Sequence, residues 1–321
     1  MLVKVGTFNL NNLFSRFNFR GRIEAILAGD TGLSVTYTFD DPQEYAIRSF
    51  MGRLVKEKDE AATALIARRI LEMDVDVLAV QEVEDLPALQ HFNRIWLKGL
   101  YPFQVLVEGN DPRLIDVGVL SKLPIGALTS WRFASHPDEP DSPIFSRDLQ
   151  EVEILDQRRR KRLFTLFNTH LKSQYLSPNE NPITGKQRAD LTRRRQAEVT
   201  ERILLERTRP NSAFVLLGDM NDAPESDCLA PFVQSRALEL VNGLTDAQET
   251  RPLRRDNPPP PSPLWTHRYK ASRQPARYEL FDQIWLSQKL ALRQTAAWIG
   301  RREKLGGDGS DHDPVWVMLD V

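Results

Sequence analysis

The stretch FVLLGDMNDAP, residues 214–224, decides how this chain is read. Four apolar residues bounded by Gly218 and Pro224 are the pattern of a short buried strand whose end leaves the sheet at a turn. Asp219, Asn221 and Asp222 then fall at the mouth of that strand. A carboxylate there has two uses. It can bond to the local turn, as Asp and Asn usually do, or it can face a cleft and do chemistry. On this segment alone the turn reading is the stronger.

Around it, apolar runs alternate with helical patterns. Strands are predicted at 2–9, 75–81, 103–107, 116–120, 149–155, 162–169, 213–217, 279–286 and 314–320, and helices at 58–73, 86–98 and 187–206. In the first helix Ala62, Leu65, Ile66 and Ile70 share a face. Polar or Pro-rich stretches at 134–148, 173–186 and 250–263 read as surface loops or lids, since a run of four prolines enters neither a helix nor the interior of a sheet. Strands resume on both sides of each, so a single domain over 1–321 is expected.

At 321 residues and 41% hydrophobic the chain can bury a large core. It contains no stretch of membrane-spanning length, and MLVKVGTFNL lacks the features of a signal peptide, so a cytoplasmic protein without a membrane partner, and a monomer, is expected. Cys228 is the only cysteine, which excludes an intramolecular disulfide and a thiolate zinc cluster. Any metal must be held by oxygen or imidazole. With 43 basic and 44 acidic residues the net charge is -1, against a protein that coats nucleic acid, although a local basic groove remains compatible.

The pattern of 214–224 recurs. TFNLNN (7–12) follows LVKV, QEVED (81–85) follows VDVLAV, NTH (168–170) follows LFTLF, FDQ (281–283) precedes IWLS, and SDHDP (310–314) precedes VWVML. Any one of these could be turn chemistry. Six strand ends together, one carrying Glu82 that no turn requires, point to a site assembled at strand termini.

The ordered set TFNLNNL, LAVQEVED, DVGVLSKLPI, NTHLKS, LLGDMND, FDQIWLS and SDHDPV resembles the endonuclease/exonuclease/phosphatase superfamily of metal-dependent phosphoesterases, from Thr7 to Val315. GD-x-N followed by SDH is the specific part. The resemblance implies a DNase I-like α/β fold, a four-layer sandwich of two mixed β-sheets flanked by helices, and hydrolysis of a phosphate ester.

That chemistry needs a cation to neutralise charge on the phosphoryl oxygens, a base for water, and help for the departing oxygen. Glu82, Asn11 and Asp311 are the candidate metal ligands, an all-oxygen set suited to Mg²⁺ or Mn²⁺. The family commonly has an acid where this chain has Asn11, which leaves Glu82 carrying more of the site. By resemblance, Asp219 positions or activates the attacking water, Asn221 donates to a phosphoryl oxygen, and Asn9 holds the metal ligands or the phosphate. His312 meets the phosphate or shares the proton work, with Asp282 fixing its tautomer. Either Asp219 or His312 is the base. His170 is a candidate acid for the leaving oxygen or a phosphate ligand. Asp116 is a candidate to orient His170 or a phosphate-binding residue and Arg113 to clamp a phosphate, with a structural salt bridge the equal alternative for both.

His91, His136 and His267 read as bland, RRRKR (158–162) as a solvated hairpin turn, and Arg193 and Arg194 as cations open to a polyanion. The expected activity is nuclease action on DNA, ahead of RNA. The alternatives are a phosphatase or phosphodiesterase of a small phosphorylated molecule and a non-catalytic phosphate-binding scaffold.

Overall fold

The computed structural model describes residues 1–14, 21–29, 32–39, 58–174, 181–252, 259–270, 274–304 and 308–321. Its architecture follows from the two-residue period of the strand at Phe214–Asp219. Val215 and Leu217 enter one apolar cluster, with Val5, Val77, Ala79 and Val317. Phe214 and Leu216 enter another, with Ala197, Ile203, Leu204 and Trp285. A strand that is apolar on both faces must be covered on both faces, and here a second sheet covers one and the helix Pro182–Arg207 the other.

The first sheet runs Gln248–Glu249, Gln294–Ile299, Val315–Asp320, Leu2–Leu13, Val77–Val83, Asp116–Ser121, Phe103–Leu106. The second runs Val241–Asn242, Asp282–Leu286, Phe214–Asp219, Arg162–His170, Leu149–Leu155, Ile125–Ser130. Each has a parallel pair at its centre, Leu2–Leu13 beside Val77–Val83 and Arg162–His170 beside Phe214–Asp219, flanked by antiparallel strands, and the short edge strand Gln248–Glu249 of the first sheet is again parallel to its neighbour. Both sheets are therefore mixed. Helices Glu60–Met73 and Leu86–Ile95 cover the outer face of the first sheet, where Ile66, Ile70, Leu89 and Phe92 pack on Phe8, Leu78 and Val80. The result is the expected four-layer sandwich.

Local chemistry sets the helix starts. The Asp59 side chain accepts from the Ala62 amide, and the Asp85 side chain from that of Ala88 at 2.7 Å. The third helix begins at Pro182, five residues before the apolar pattern predicts, because Asn181 caps it and proline suits a first helical position. The strands predicted at 75–81 and 279–286 lie at Val77–Val83 and Asp282–Leu286. Within 134–148, residues Ser135–His136 and Glu139–Pro143 form a small strand pair. Residues 175–180 and 253–258 of the other two predicted loops lie outside the described residues. The basic run at 158–162 turns a hairpin, as expected, with the Asp156 carboxylate accepting from the Arg160 and Lys161 amides.

Gly218 joins the fold to the site. Its φ is +135°, and a Cβ there would lie 1.9 Å from the carbonyl oxygen of Thr169 on the neighbouring strand. Only glycine permits both that dihedral and that approach. Gly218→Ala is expected to cost at least about 3 kcal/mol, from forbidden backbone and a backbone clash together. The check is a thermal melt, which should fall by roughly 10 °C or more, or yield no folded protein; a melting temperature within about 2 °C of the parent contradicts the account.

Candidate active site

The end of the sandwich that carries the site is fixed by register. His170, Asp219 and Asp282 are neighbours on one rung of the second sheet, His170 opposite Asp219 and Asp219 opposite Asp282. In the first sheet Asn9 pairs with Gln81 near the same end. Each of these side chains continues the inner face of its strand, so apolar contact between the sheets gives way to polar contact at the mouth. Just below the site, the Gln81 amide donates to Asn168 Oδ1 at 2.8 Å and to Thr7 Oγ1 at 2.9 Å, and Asn168 donates to the Gly118 carbonyl at 2.9 Å. These buried groups satisfy one another across the two sheets.

The first sheet bulges at this level. Pairing of the first strand slips between Asn9 and Leu13, and that of the second between Gln81 and Val83. Asn11, Asn12 and Glu82 take left-handed φ values of 47°, 59° and 59°. Such backbone is costly outside glycine and collects at functional sites. The bulge leaves Glu82 half-buried rather than packed in the sheet, with its Oε2 accepting from the Asn12 amide at 3.0 Å.

Asp219 is almost fully buried and has two roles. Its Oδ1 accepts from the Asn221 amide at 2.9 Å, which is turn chemistry, and its Oδ2 accepts from Asn9 Nδ2 at 2.9 Å, from the opposite sheet. The same Oδ2 lies 3.4 Å from His170 Nε2 and 3.9 Å from His312 Nε2. Burial pushes Asp219 up to about 6, Asp282 adds to the rise, and His312 and the bonds from Asn9 and Asn221 oppose it.

The two imidazoles beside Asp219 are in opposite states. Burial alone would lower His312, but Asp282, whose Oδ2 is 2.7 Å from His312 Nδ1, and Asp219 lift it well above the usual histidine range. His170 is driven well below that range by burial, then by Arg147 and His312. Arg147 Nη2 sits 3.1 Å from His170 Nε2, and a guanidinium can only donate, so the proton of the neutral ring is on Nδ1. Arg147 is itself buried, beside Asp111 at 3.7 Å.

The predicted metal ligands gather at the other edge. Asn11 Nδ2 donates to Asp311 Oδ1 at 2.8 Å, and the Asn11 amide donates to Asn9 Oδ1 at 2.8 Å. Lys58 Nζ donates to the Asn11 carbonyl at 2.5 Å; burial lowers the lysine while Glu82, Asp311 and Asp59 pull the other way. A corner where two carboxylates attract one cation fits a hard dication. Asn11 fits as a tether of Asp311 better than as a ligand, because its amide nitrogen faces the carboxylate.

Four further residues meet structural partners. The Asp116 Oδ1 accepts from the Gly109 amide at 2.7 Å. Arg113 is held by Asp111 through Nε and Nη2, each at 3.0 Å. Arg193 is buried, bonded to Asp222, Asp190 and the Lys172 carbonyl, and is no open cation. Asn221 Nδ2 is spent on the Leu171 carbonyl at 3.1 Å. Arg147 and His267 were missed as site residues. The only signal for Arg147 was an arginine two residues before a predicted strand; His267 reaches the site by a β-bridge to His312 that no local pattern announces.

Comparison with known proteins places this geometry. A model of the endonuclease/exonuclease/phosphatase family matches residues 6–312, and the chain belongs to that family. It is a phosphoric-ester hydrolase, of a family that generally uses divalent metals. No individually curated protein matches the sequence. Among solved structures it is similar to an endonuclease/exonuclease/phosphatase from Bacteroides vulgatus, at 16% identity and a TM-score of 0.62, covering 100% of this chain and 99% of that one. It is also similar to an AP endonuclease from Archaeoglobus fulgidus, at 17% identity and TM-score 0.57, covering 99% and 100%. A mannosyl-6-phosphatase from Bacteroides thetaiotaomicron shows 14% identity and TM-score 0.56, again covering 99% and 100%.

The electrostatics predict a separation of stability from activity at Asp219. Its pKa is raised in the folded protein, so the charged carboxylate costs stability; that cost is absent below the unfolded carboxylate range and complete once the pH has risen through about 6. Asp219→Asn should therefore melt at or above the parent temperature at pH 8, keep less of that advantage at pH 5, and lose it below the unfolded carboxylate range. A mutant that is less stable at pH 8 than at pH 5, relative to the parent, contradicts the assignment.

Proposed function

Within the endonuclease/exonuclease/phosphatase family, we propose that this chain hydrolyses phosphodiester bonds in nucleic acid, DNA ahead of RNA, using a water activated by Asp219 and a corner at Glu82 and Asp311 that holds Mg²⁺ or Mn²⁺. The observation that carries the reading is the pair of solvent-reaching cations near the reaction centre, half-buried Lys172 and exposed Arg113. Burial first, then Arg147, Arg113 and Arg193, lowers Lys172 to about 8. A single phosphoryl group needs only one of these two cations, whereas a polymer with flanking phosphates can engage both.

The protonation states divide the work. His312, already cationic with Asp282 behind it, is a poor base and a good donor to a phosphoryl or departing oxygen. Asp219 is left as the base, with a pKa near the operating range, where general-base catalysis is efficient. Asn9 and the Asn221 amide hold the carboxylate in place. His170 is neutral, with Nε2 taken by Arg147 and Nδ1 buried, which leaves it a weak acid. A bound dication supplies charge neutralisation at the phosphoryl oxygens.

Two measurements test this. Activity on duplex DNA, single-stranded DNA, RNA, bis-p-nitrophenyl phosphate and p-nitrophenyl phosphate should be abolished by EDTA, restored by Mg²⁺ or Mn²⁺, and greater on diesters; Glu82→Gln should raise the metal concentration required. Monoester turnover without cleavage of any nucleic acid would instead favour a small-molecule phosphatase. Second, Asp219→Asn should lower kcat by roughly 10² to 10⁴ with saturating metal, the size of a general-base contribution. A folded mutant with near-parental kcat overturns the role of Asp219.

A further inference from the structure

His267 lies outside every role given above, yet its ring sits in the site. It stacks on Phe281 with ring centres 4.9 Å apart and planes 13° apart, and its centre is 4.9 Å from that of His312. Its Nε2 is 3.7 Å from Asp311 Oδ2, and His312 Nε2 is 3.9 Å from Asp311 Oδ1. One donor atom from each of the three residues falls within 4.8 Å of the other two. Both separations are too long for hydrogen bonds, and a directly paired imidazolium and carboxylate would close to about 2.8 Å. Two ligands each about 2.1 Å from one tetrahedral ion lie roughly 3.4 Å apart, and the separations here, 3.7 and 3.9 Å to the two oxygens of one carboxylate, are a few tenths of an ångström longer.

The orientation of His312 agrees with a ligand role. His312 is bonded through Nδ1 to Asp282, which leaves Nε2 toward Asp311; a carboxylate behind one nitrogen is the usual support of a metal-binding imidazole. The β-bridge between His267 and His312 and the Asp313 amide bonded to the Thr266 carbonyl at 2.8 Å fix the two histidines relative to each other.

We propose that His267, Asp311 and His312 form a mixed nitrogen and oxygen site for a transition-metal dication of the Zn²⁺ or Co²⁺ type, which shares Asp311 with the oxygen corner at Glu82 and differs from it in its two imidazole donors. Imidazole donors favour such ions over Mg²⁺. Loading requires His312 to give up its proton, as ligand imidazoles are neutral. In the hydrolytic reading this withdraws the proton donor, so occupancy inhibits; the binding site itself does not depend on that reading.

The test is a titration of chelator-stripped protein with Co²⁺, followed by its visible absorption, on the parent, His267→Phe, His267→Gln and Glu82→Gln. The phenylalanine keeps the stack on Phe281 and removes the nitrogens, and melting temperatures check folding. The parent should bind Co²⁺ against a large excess of Mg²⁺. Both His267 variants should weaken binding at least about tenfold, as expected for loss of an imidazole ligand, and Glu82→Gln should bind nearly as the parent does. Absence of Co²⁺ binding in the parent, parental affinity and spectrum in either folded His267 variant, or displacement by Mg²⁺ would overturn the proposal. These outcomes are read without any substrate, so failure of the hydrolytic reading is a separate result.

Discussion

The hydrogen bond from Asn9 Nδ2 to Asp219 Oδ2, 2.9 Å long and running from one sheet to the other, is the constraint on which the rest of the site depends. It requires Asn9 of the first strand and the end of the Phe214–Asp219 strand to lie at the same height, inner face to inner face. The polar layer of Thr7, Gln81 and Asn168 beneath it keeps that height, because a slip of one residue would turn each of these side chains to the other face and leave buried amides unpaired. Gly218 allows the strand carrying Asp219 to lie against Thr169, which brings His170 within 3.4 Å of the carboxylate.

From that junction the charge separates. On one side, strand bulges present Glu82 and, through Asn11, gather Asp311. On the other, buried Arg147 takes the lone pair of His170 and keeps that ring neutral. His312, flanked by Asp282 and Asp219, is the opposite case. Two histidines of the same burial thus hold different protonation states because their charged neighbours differ in sign. The segment bearing Asp311 and His312 is itself anchored: Asp313, fully buried, binds Arg69, Arg301 and Arg302, and Arg69 and Arg302 also bond the His312 and Asp311 carbonyls.

Much of this was legible in the sequence where a strand and a polar terminus coincide. Phe214–Leu217, the run ending at Gln81, and the run ending at His170 are apolar stretches that polar residues stop, and pattern alone locates them. The strands Ile125–Ser130 and Gln294–Ile299 were not legible, since IGALTS and QTAAWI are edge or near-edge strands with small and polar residues and no apolar run. Arg147 and His267 were missed for a different reason. Arg147 lies in a connection and His267 in the short strand His267–Tyr269, and the place of each in the site comes from contacts with residues 23 and 45 positions away, His170 and His312, that only the finished fold creates. Asp116 and Arg113 take local partners, Gly109 and Asp111, and for Arg113 this is the structural salt bridge that the sequence left as the equal alternative.

The central claim is that one carboxylate lies between a cationic and a neutral imidazole, which makes Asp219 the base. The most direct measurement is the ¹⁵N chemical shift of the His170 and His312 ring nitrogens at neutral pH in the metal-free protein. The account predicts His312 protonated on both nitrogens and His170 neutral with its proton on Nδ1. Two rings titrating together in the ordinary histidine range, or a neutral His312, would contradict it.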